Sequence, residues 1–247
     1  MRILILGAFK EELTAITHDF LDLKETKIAH CCCLSGRWHH HELMFALTGI
    51  GTVASAITTT ILCDKLQPEL IIFCGVAGGL KPDQRIGDLV IANKIIDADL
   101  YQLPALLKDT PYKNGLIDPH TLNIITGEYP VNPTIKPIIE SFSFERLKLG
   151  IIVSSSVFPA PEKLFSKLIA LDCSVIEMES AGLFKAAIYY QIPVITVRAI
   201  SNLLDATGND LGTTPEALNF CANRLAACLT QLLPRIQCLE PIAVDLV

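Results

Sequence analysis

The sequence has no run of about 18 consecutive apolar residues, the length a membrane-spanning helix requires, so no helical membrane anchor is expected. No export signal is expected either. Met1-Arg2 leads into a short apolar run over residues 3–8 that stops at Lys10-Glu11-Glu12, too short for the hydrophobic centre of a signal peptide. A soluble, cytoplasmic protein is the expectation. Clusters of Lys and Arg are missing as well: 20 basic residues stand against 26 acidic ones, a formal net charge of −6. That leaves no electrostatic footprint for a nucleic-acid backbone. A disulfide framework is excluded on other grounds. The nine cysteines are odd in number, and Cys63, Cys74, Cys221 and Cys228 lie inside apolar segments, as reduced, buried thiols do. Internal repeats and low-complexity tracts are absent.

What is present is a chain of 247 residues, 51% hydrophobic and 19% charged, enough to bury one sizeable core. A single domain over residues 1–247 is expected, with apolar surface to spare for self-association. Runs rich in Ile, Val and Leu at residues 2–6, 43–47, 70–74, 89–96, 149–154 and 194–199 read as buried strands. Helical spacing appears at 53–66, 161–169, 178–190 and 215–233. The alternation predicts an α/β layered fold. An extra pair near 28–34 and 43–47, joined through Ser35-Gly36-Arg37, reads as a hairpin and makes the sheet mixed. Residues 100–132 carry four prolines and little periodicity, the mark of a long functional loop. The tail at 235–247 has no readable pattern.

In open α/β sheets ligands bind beyond the carboxyl ends of strands, and four such ends carry unusual residues. The first, Gly7-Ala8-Phe9-Lys10-Glu11-Glu12, runs a strand into two acids at the start of a helix. Those acids either complement the helix dipole or supply a general base. The second, Cys74-Gly75-Val76-Ala77-Gly78-Gly79, lets backbone approach a ligand, yet it matches neither a P-loop nor a dinucleotide fingerprint. Gly49-Ile50-Gly51 is an anion-binding turn or a tight connection. The third, Glu177-Met178-Glu179-Ser180, sets two carboxylates at a helix entrance, where acids also serve as caps. The fourth, Arg198-Ala199-Ile200-Ser201-Asn202, ends a buried strand in polar residues with no evident structural purpose.

In order and spacing these segments, with Thr48-Gly49-Ile50-Gly51 and Gly87-Asp88, resemble the purine nucleoside phosphorylase and uridine phosphorylase superfamily. The similarity extends over nearly the whole chain and is nearest to its nucleosidase branch, the methylthioadenosine/S-adenosylhomocysteine nucleosidases and futalosine hydrolases. It implies a three-layer α/β/α sandwich around a mixed sheet, a homodimer or larger oligomer, no metal and no cofactor. It also implies hydrolysis of the bond between a purine and a ribose, through a transition state with positive charge on the sugar. By resemblance Glu12 activates water, and Met178 and Glu179 bind ribose with Glu177 as a third member. Phe158 stacks on the purine, with the backbone near Pro159 facing the base edge. Ala8, Val76, Ala77, Gly78 and Ser201 complete the pocket.

Two positions depart from the methylthioadenosine nucleosidases, which have Ser in place of Val76 and, in place of Asn202, an Asp that protonates the leaving purine. An amide cannot transfer that proton, though it can donate a hydrogen bond to N7 or to a 6-oxo group. Futalosine hydrolases carry Ile-Ser-Asn here, followed after a short insert by a segment like Pro215-Glu216-Ala217-Leu218. The resemblance therefore implies futalosine or 6-amino-6-deoxyfutalosine as substrate and a place in the alternative menaquinone route, with methylthioadenosine or S-adenosylhomocysteine as the alternative.

Three rival readings exist. Phosphorolysis would need cationic groups for phosphate, whereas the first turn carries Glu12. A metal site in Cys31-Cys32-Cys33 and His39-His40-His41 is disfavoured because consecutive strand residues point to opposite faces, and the histidines are expected at a solvated hairpin tip. A nucleoside-binding protein without catalysis would explain Val76 and Asn202 but not Glu12 and Glu179.

Overall fold

The computed structural model describes residues 1–18, 20, 23–101, 108–111, 115–119, 124–158, 162–205 and 207–236. In chain order the strands are β1 (Arg2–Gly7), β2 (Lys24–Ile28), β3 (Cys31–Trp38), β4 (His41–Leu47), β5 (Leu70–Gly79), β6 (Leu89–Asp97), β7 (Glu128–Pro130), β8 (Leu147–Ser154), β9 (Val175–Glu177) and β10 (Val194–Leu203). The helices are α1 (Lys10–His18), α2 (Thr52–Leu66), α3 (Ala98–Tyr101), α4 (Lys136–Ser141), α5 (Glu162–Ala170), α6 (Ser180–Tyr189) and α7 (Pro215–Leu232).

All ten strands belong to one mixed sheet. Alternation along β1 explains the layering. Ile3 and Ile5 face one core with Leu13 and Ile16 of α1 and Leu225 and Leu229 of α7, while Leu4 and Leu6 face the other with Leu62 of α2 and Leu183 of α6. Helix α1 packs on α7 and α2 on α6, so helices cover both faces, the expected three-layer arrangement. Each of these side chains, removed from water, contributes roughly 1.5–3 kcal/mol. Among the described residues no helix is long and apolar enough to cross a membrane.

The sheet order runs β10-β6-β8-β9-β5-β1-β4-β3-β2, and β10 also pairs with β5 in parallel. Strands β5, β9, β8, β6 and β10 thus close into a ring, with β1, β4, β3 and β2 extending from it as a ribbon. The outermost strand, β2, is polar and mostly exposed. Helix α7 begins where its Pro215 suggests: Thr214 Oγ1 accepts from the N–H of Ala217 at 3.2 Å, and proline occupies the first turn, where its missing N–H is harmless.

The hairpin differs from expectation. Ser35, Gly36 and Arg37 lie within β3, paired with Met44, Leu43 and Glu42, and the reversal falls at His39-His40. A Cβ on Gly36 would meet Leu23 Cδ2 at 2.7 Å, so the glycine admits a packed leucine and does not turn the chain. His39 and His40 occupy the tip, but His41 is buried. The three cysteines alternate buried, exposed, buried along β3. Cys63, Cys74, Cys221 and Cys228 are buried free thiols. Within 100–132 the described parts include the end of α3, a bridge between Ile117 and Ile124, and β7. The remainder of that loop and residues 237–247 lie outside the described residues.

Candidate active site

The chain leaves β1 at Gly7 and enters α1 at Lys10, so the two acids of its first turn point differently. Glu11 is exposed, whereas Glu12 is 3% exposed and turned toward the sheet. Glu12 Oε2 accepts from the N–H of Ala8 at 2.5 Å and of Phe9 at 3.4 Å, and Oε1 accepts from the N–H of Val76 at 2.7 Å. Burial raises its pKa above the usual carboxylate range, and the opposing pull of Arg198 and the three amides does not cancel that effect. Such a group takes up a proton readily, as a general base must.

Val76 can reach Glu12 because Gly75 precedes it. A Cβ on Gly75 would strike Arg198 Nη1 and Glu12 Oε1, so only glycine lets the arginine and the carboxylate face each other across this strand. Arg198 is fully buried on β10, its guanidinium 3.9 Å from the centre of the Phe73 ring. Nη2 pairs with Glu177, donates to Ser180 Oγ at 3.2 Å, and lies 4.0 Å from Glu179. Nε and Nη1 have no hydrogen-bond partner among the described residues. Leaving buried donors unsatisfied costs about 1–3 kcal/mol each, so this face of the arginine favours a polar partner.

The two acids of the third segment have separate tasks. Glu177 ends β9 with both oxygens occupied: Ser154 Oγ and the N–H of Ser180 reach Oε1, and Arg198, Ser180 Oγ and the amides of Glu179 and Ser180 reach Oε2. It caps α6 and anchors the arginine. Glu179 turns away from that helix and accepts from the N–H of Gly51 at 3.0 Å and of Met178 at 3.4 Å. Its pKa is raised to about 7, by burial first and by the neighbouring charge of Glu177 second, with Arg198 and the Gly51 amide opposing. The turn at 49–51 therefore holds a carboxylate of the protein itself.

Register brings the fourth segment alongside. In the β5–β10 pair Ile200 lies opposite Ala77 and Asn202 opposite Gly78. Ser201 and Asn202 are both buried. Ala8, Glu12, Val76, Glu177, Met178, Glu179 and Arg198 thus form one connected cluster, with Ala77, Gly78, Ser201 and Asn202 beside it on the same strands. Phe158 stands apart from this network, 37% exposed in the bend after β8. Pro159 lies outside the described residues.

The sequence singled out the segment of Arg198 without giving the arginine itself a role, and it offered the turn at Gly51 only as an anion-binding turn or a tight connection. A signal for the arginine was present: Val194-Ile-Thr-Val-Arg198-Ala-Ile is an apolar strand run with one charge inside it, and a charge there requires partners. The cluster supplies a raised-pKa base, a guanidinium with free donors and a second carboxylate, enough to hold and deprotonate water beside a developing cation.

The chain is similar to known proteins over most of its length. Residues 2–236 match the model of the phosphorylase superfamily. A 5′-methylthioadenosine/S-adenosylhomocysteine nucleosidase of Staphylococcus epidermidis is 30% identical over 204 residues, covering 81% of this chain and 85% of the relative. The native structure of futalosine hydrolase of Helicobacter pylori superimposes with a TM-score of 0.80 at 26% identity, covering 96% of this chain and 98% of the other. A Helicobacter pylori methylthioadenosine nucleosidase with an Asp-to-Asn substitution, holding 5′-methylthioadenosine in its active site, gives a TM-score of 0.79 at 27% identity, covering 95% and 99%.

Proposed function

The chain belongs to the phosphorylase superfamily, and from that membership and the Glu12–Arg198–Glu179 cluster we propose that it hydrolyses the N-ribosidic bond of a 5′-modified purine nucleoside, with futalosine or 6-amino-6-deoxyfutalosine as substrate. The buried cluster carries this reading. A water seated between Glu12 and the free donors of Arg198 gives its proton to Glu12 as its oxygen attacks the anomeric carbon. The pair of electrons of the broken bond leaves with the purine. Glu179, fixed by the Gly51 amide, accepts from the ribose hydroxyls together with the backbone of Met178 and stabilises the cationic sugar.

Water in place of phosphate follows from charge. Arg198 is surrounded by Glu12, Glu177 and Glu179, so the cluster has no net positive charge with which to hold an anion. Asn202 and Val76 favour the futalosine substrates, which would place the enzyme in the alternative menaquinone route. The identity with methylthioadenosine nucleosidases keeps their substrates as the second reading. Self-association has a surface available in Ile50, Val53 and Ile57, exposed together at the start of α2, and light scattering of purified protein tests it.

The deciding experiment measures release of free purine, without phosphate, from futalosine, 6-amino-6-deoxyfutalosine, methylthioadenosine and S-adenosylhomocysteine. Cleavage of the first pair alone supports the substrate assignment, and preference for the thio-nucleosides replaces it with the second reading. A requirement for phosphate refutes hydrolysis.

A further inference from the structure

Asn202 is held from two sides. Ser201 Oγ donates to its Oδ1 at 2.9 Å, and its Nδ2 donates to Asp210 Oδ1 at 2.7 Å. A carboxylate only accepts and the hydroxyl here donates, so together they settle which end of the amide carries the NH₂ group. Asp210 is exposed, and its position comes from a tight return after β10. Asp205 accepts from the N–H of Thr207 at 2.8 Å and of Asn209 at 3.0 Å, Leu211 N donates to Leu203 O at 3.0 Å, and Asp210 bridges to Leu204. The N–H of Gly212 adds a second bond to the same Asp210 oxygen at 2.8 Å. A loop with this much internal bonding sets a side chain rather than leaving it to solvent.

The geometry points to Asp210 as a positioning residue of the active site: it locks the Asn202 amide as a donor, one N–H held by Asp210 and the other left for the purine's N7. That second N–H has no acceptor among the described residues. The inference rests on the purine-nucleoside reading above and adds to it a residue from outside the matched strand ends. It also gives Asn202 a physical reason. A carboxylate at that position would face Asp210 across 2.7 Å, and two carboxylates at that range cannot both ionise. The amide avoids the conflict and keeps a hydrogen-bond donor for the base.

The test compares inhibition by adenine and hypoxanthine with inhibition by their 7-deaza counterparts, which lack the N7 acceptor. It uses wild type, Asp210→Ala, Asn202→Ala and the double variant, with thermal melting as a check of folding. Wild type is expected to prefer the N7-bearing bases by roughly 3- to 10-fold, the worth of one neutral hydrogen bond. Asp210→Ala should remove that preference as Asn202→Ala does, and the double variant should lose nothing more, because the two act through one bond. Should the alanine variant fail to fold, Asp210→Asn keeps the size of the side chain while adding a competing NH₂ group, and it should lower the preference. An unchanged N7 preference in the Asp210 variants, with affinity for all four bases reduced equally, shows a merely structural residue and overturns the proposal. So does a wild type that binds both kinds of base equally well. If wild type binds none of them, the purine-nucleoside reading itself fails, and the inference falls with it.

Discussion

Replacing Glu12 by Gln tests the mechanism at its centre. The side chain keeps its size, but Glu12 now meets Val76 N–H at 2.7 Å on one oxygen and the N–H groups of Ala8 at 2.5 Å and Phe9 at 3.4 Å on the other. Glutamine has one oxygen and one NH₂, so one backbone donor must face another donor. That costs about 1–3 kcal/mol, offset in part because an amide is cheaper to bury than a carboxylate whose pKa burial already raises. Stability should therefore change by less than about 3 kcal/mol. Activity should change far more. Loss of a general base is worth about 100- to 10,000-fold in kcat, or roughly 2.7–5.4 kcal/mol of transition-state stabilisation. Purine release followed through oxidation of the freed base, with urea denaturation on the same preparations, separates the two quantities. The residual rate should no longer depend on ionisation of this residue. A variant that folds and keeps kcat within about tenfold of wild type would show that Glu12 does not activate the water.

Other perturbations address the surrounding groups. Arg198→Met should destabilise the protein by about 3–5 kcal/mol in urea unfolding, because Glu177 is left buried without its countercharge; a loss below about 1 kcal/mol would mean the pair is not load-sharing in this way. Gly75→Ala places a methyl group against Arg198 and Glu12, and an overpacking cost of about 1–3 kcal/mol should accompany a fall in kcat; normal turnover with a normal melting temperature refutes the close approach. Glu179 gives a pH dependence of definite sign. Its folded pKa, about 7, stands above the ordinary value of 4.5, so the stability it contributes is full at low pH and is lost as pH rises through about 7. Urea midpoints should fall over that interval and flatten in Glu179→Gln, and an unchanged slope in the variant removes the assignment.

The strands were legible because they are buried on both faces. A run such as residues 70–74 needs no alternation to be recognised, since every side chain in it meets a core. From its own residues Glu12 was one of two acids in a first turn, and only the resemblance chose between them; the fold divides them, one staying in water and the other facing the sheet. Glycine misled at Gly36, where the missing Cβ makes room for Leu23 and the turn uses His39 instead, at a φ of 51°. Arg198 stood out in the sequence, but its role was hidden for a different reason. Its role depends on Glu177 from β9, Ser180 from α6 and Gly75 from β5, and no local pattern records that three elements meet there. Asp210 lay beyond reach because its link to Asn202 is made by a return loop whose path is set by bonds to Asp205.

The pairing of β10 with β5 also bears on how the protein behaves in a crowded solution. An open sheet has two flanks, and each can recruit a strand from a neighbouring chain and grow into an aggregate. Here one flank has been consumed by joining the sheet to itself, and β7 lies against β6. Among the described residues the remaining long flank is β2, where Lys24, Glu25 and Lys27 stand in water and would meet like charges in a second copy added in parallel, in-register pairing. In a chain that is 51% hydrophobic, the described sheet thereby presents little backbone on which another molecule could template.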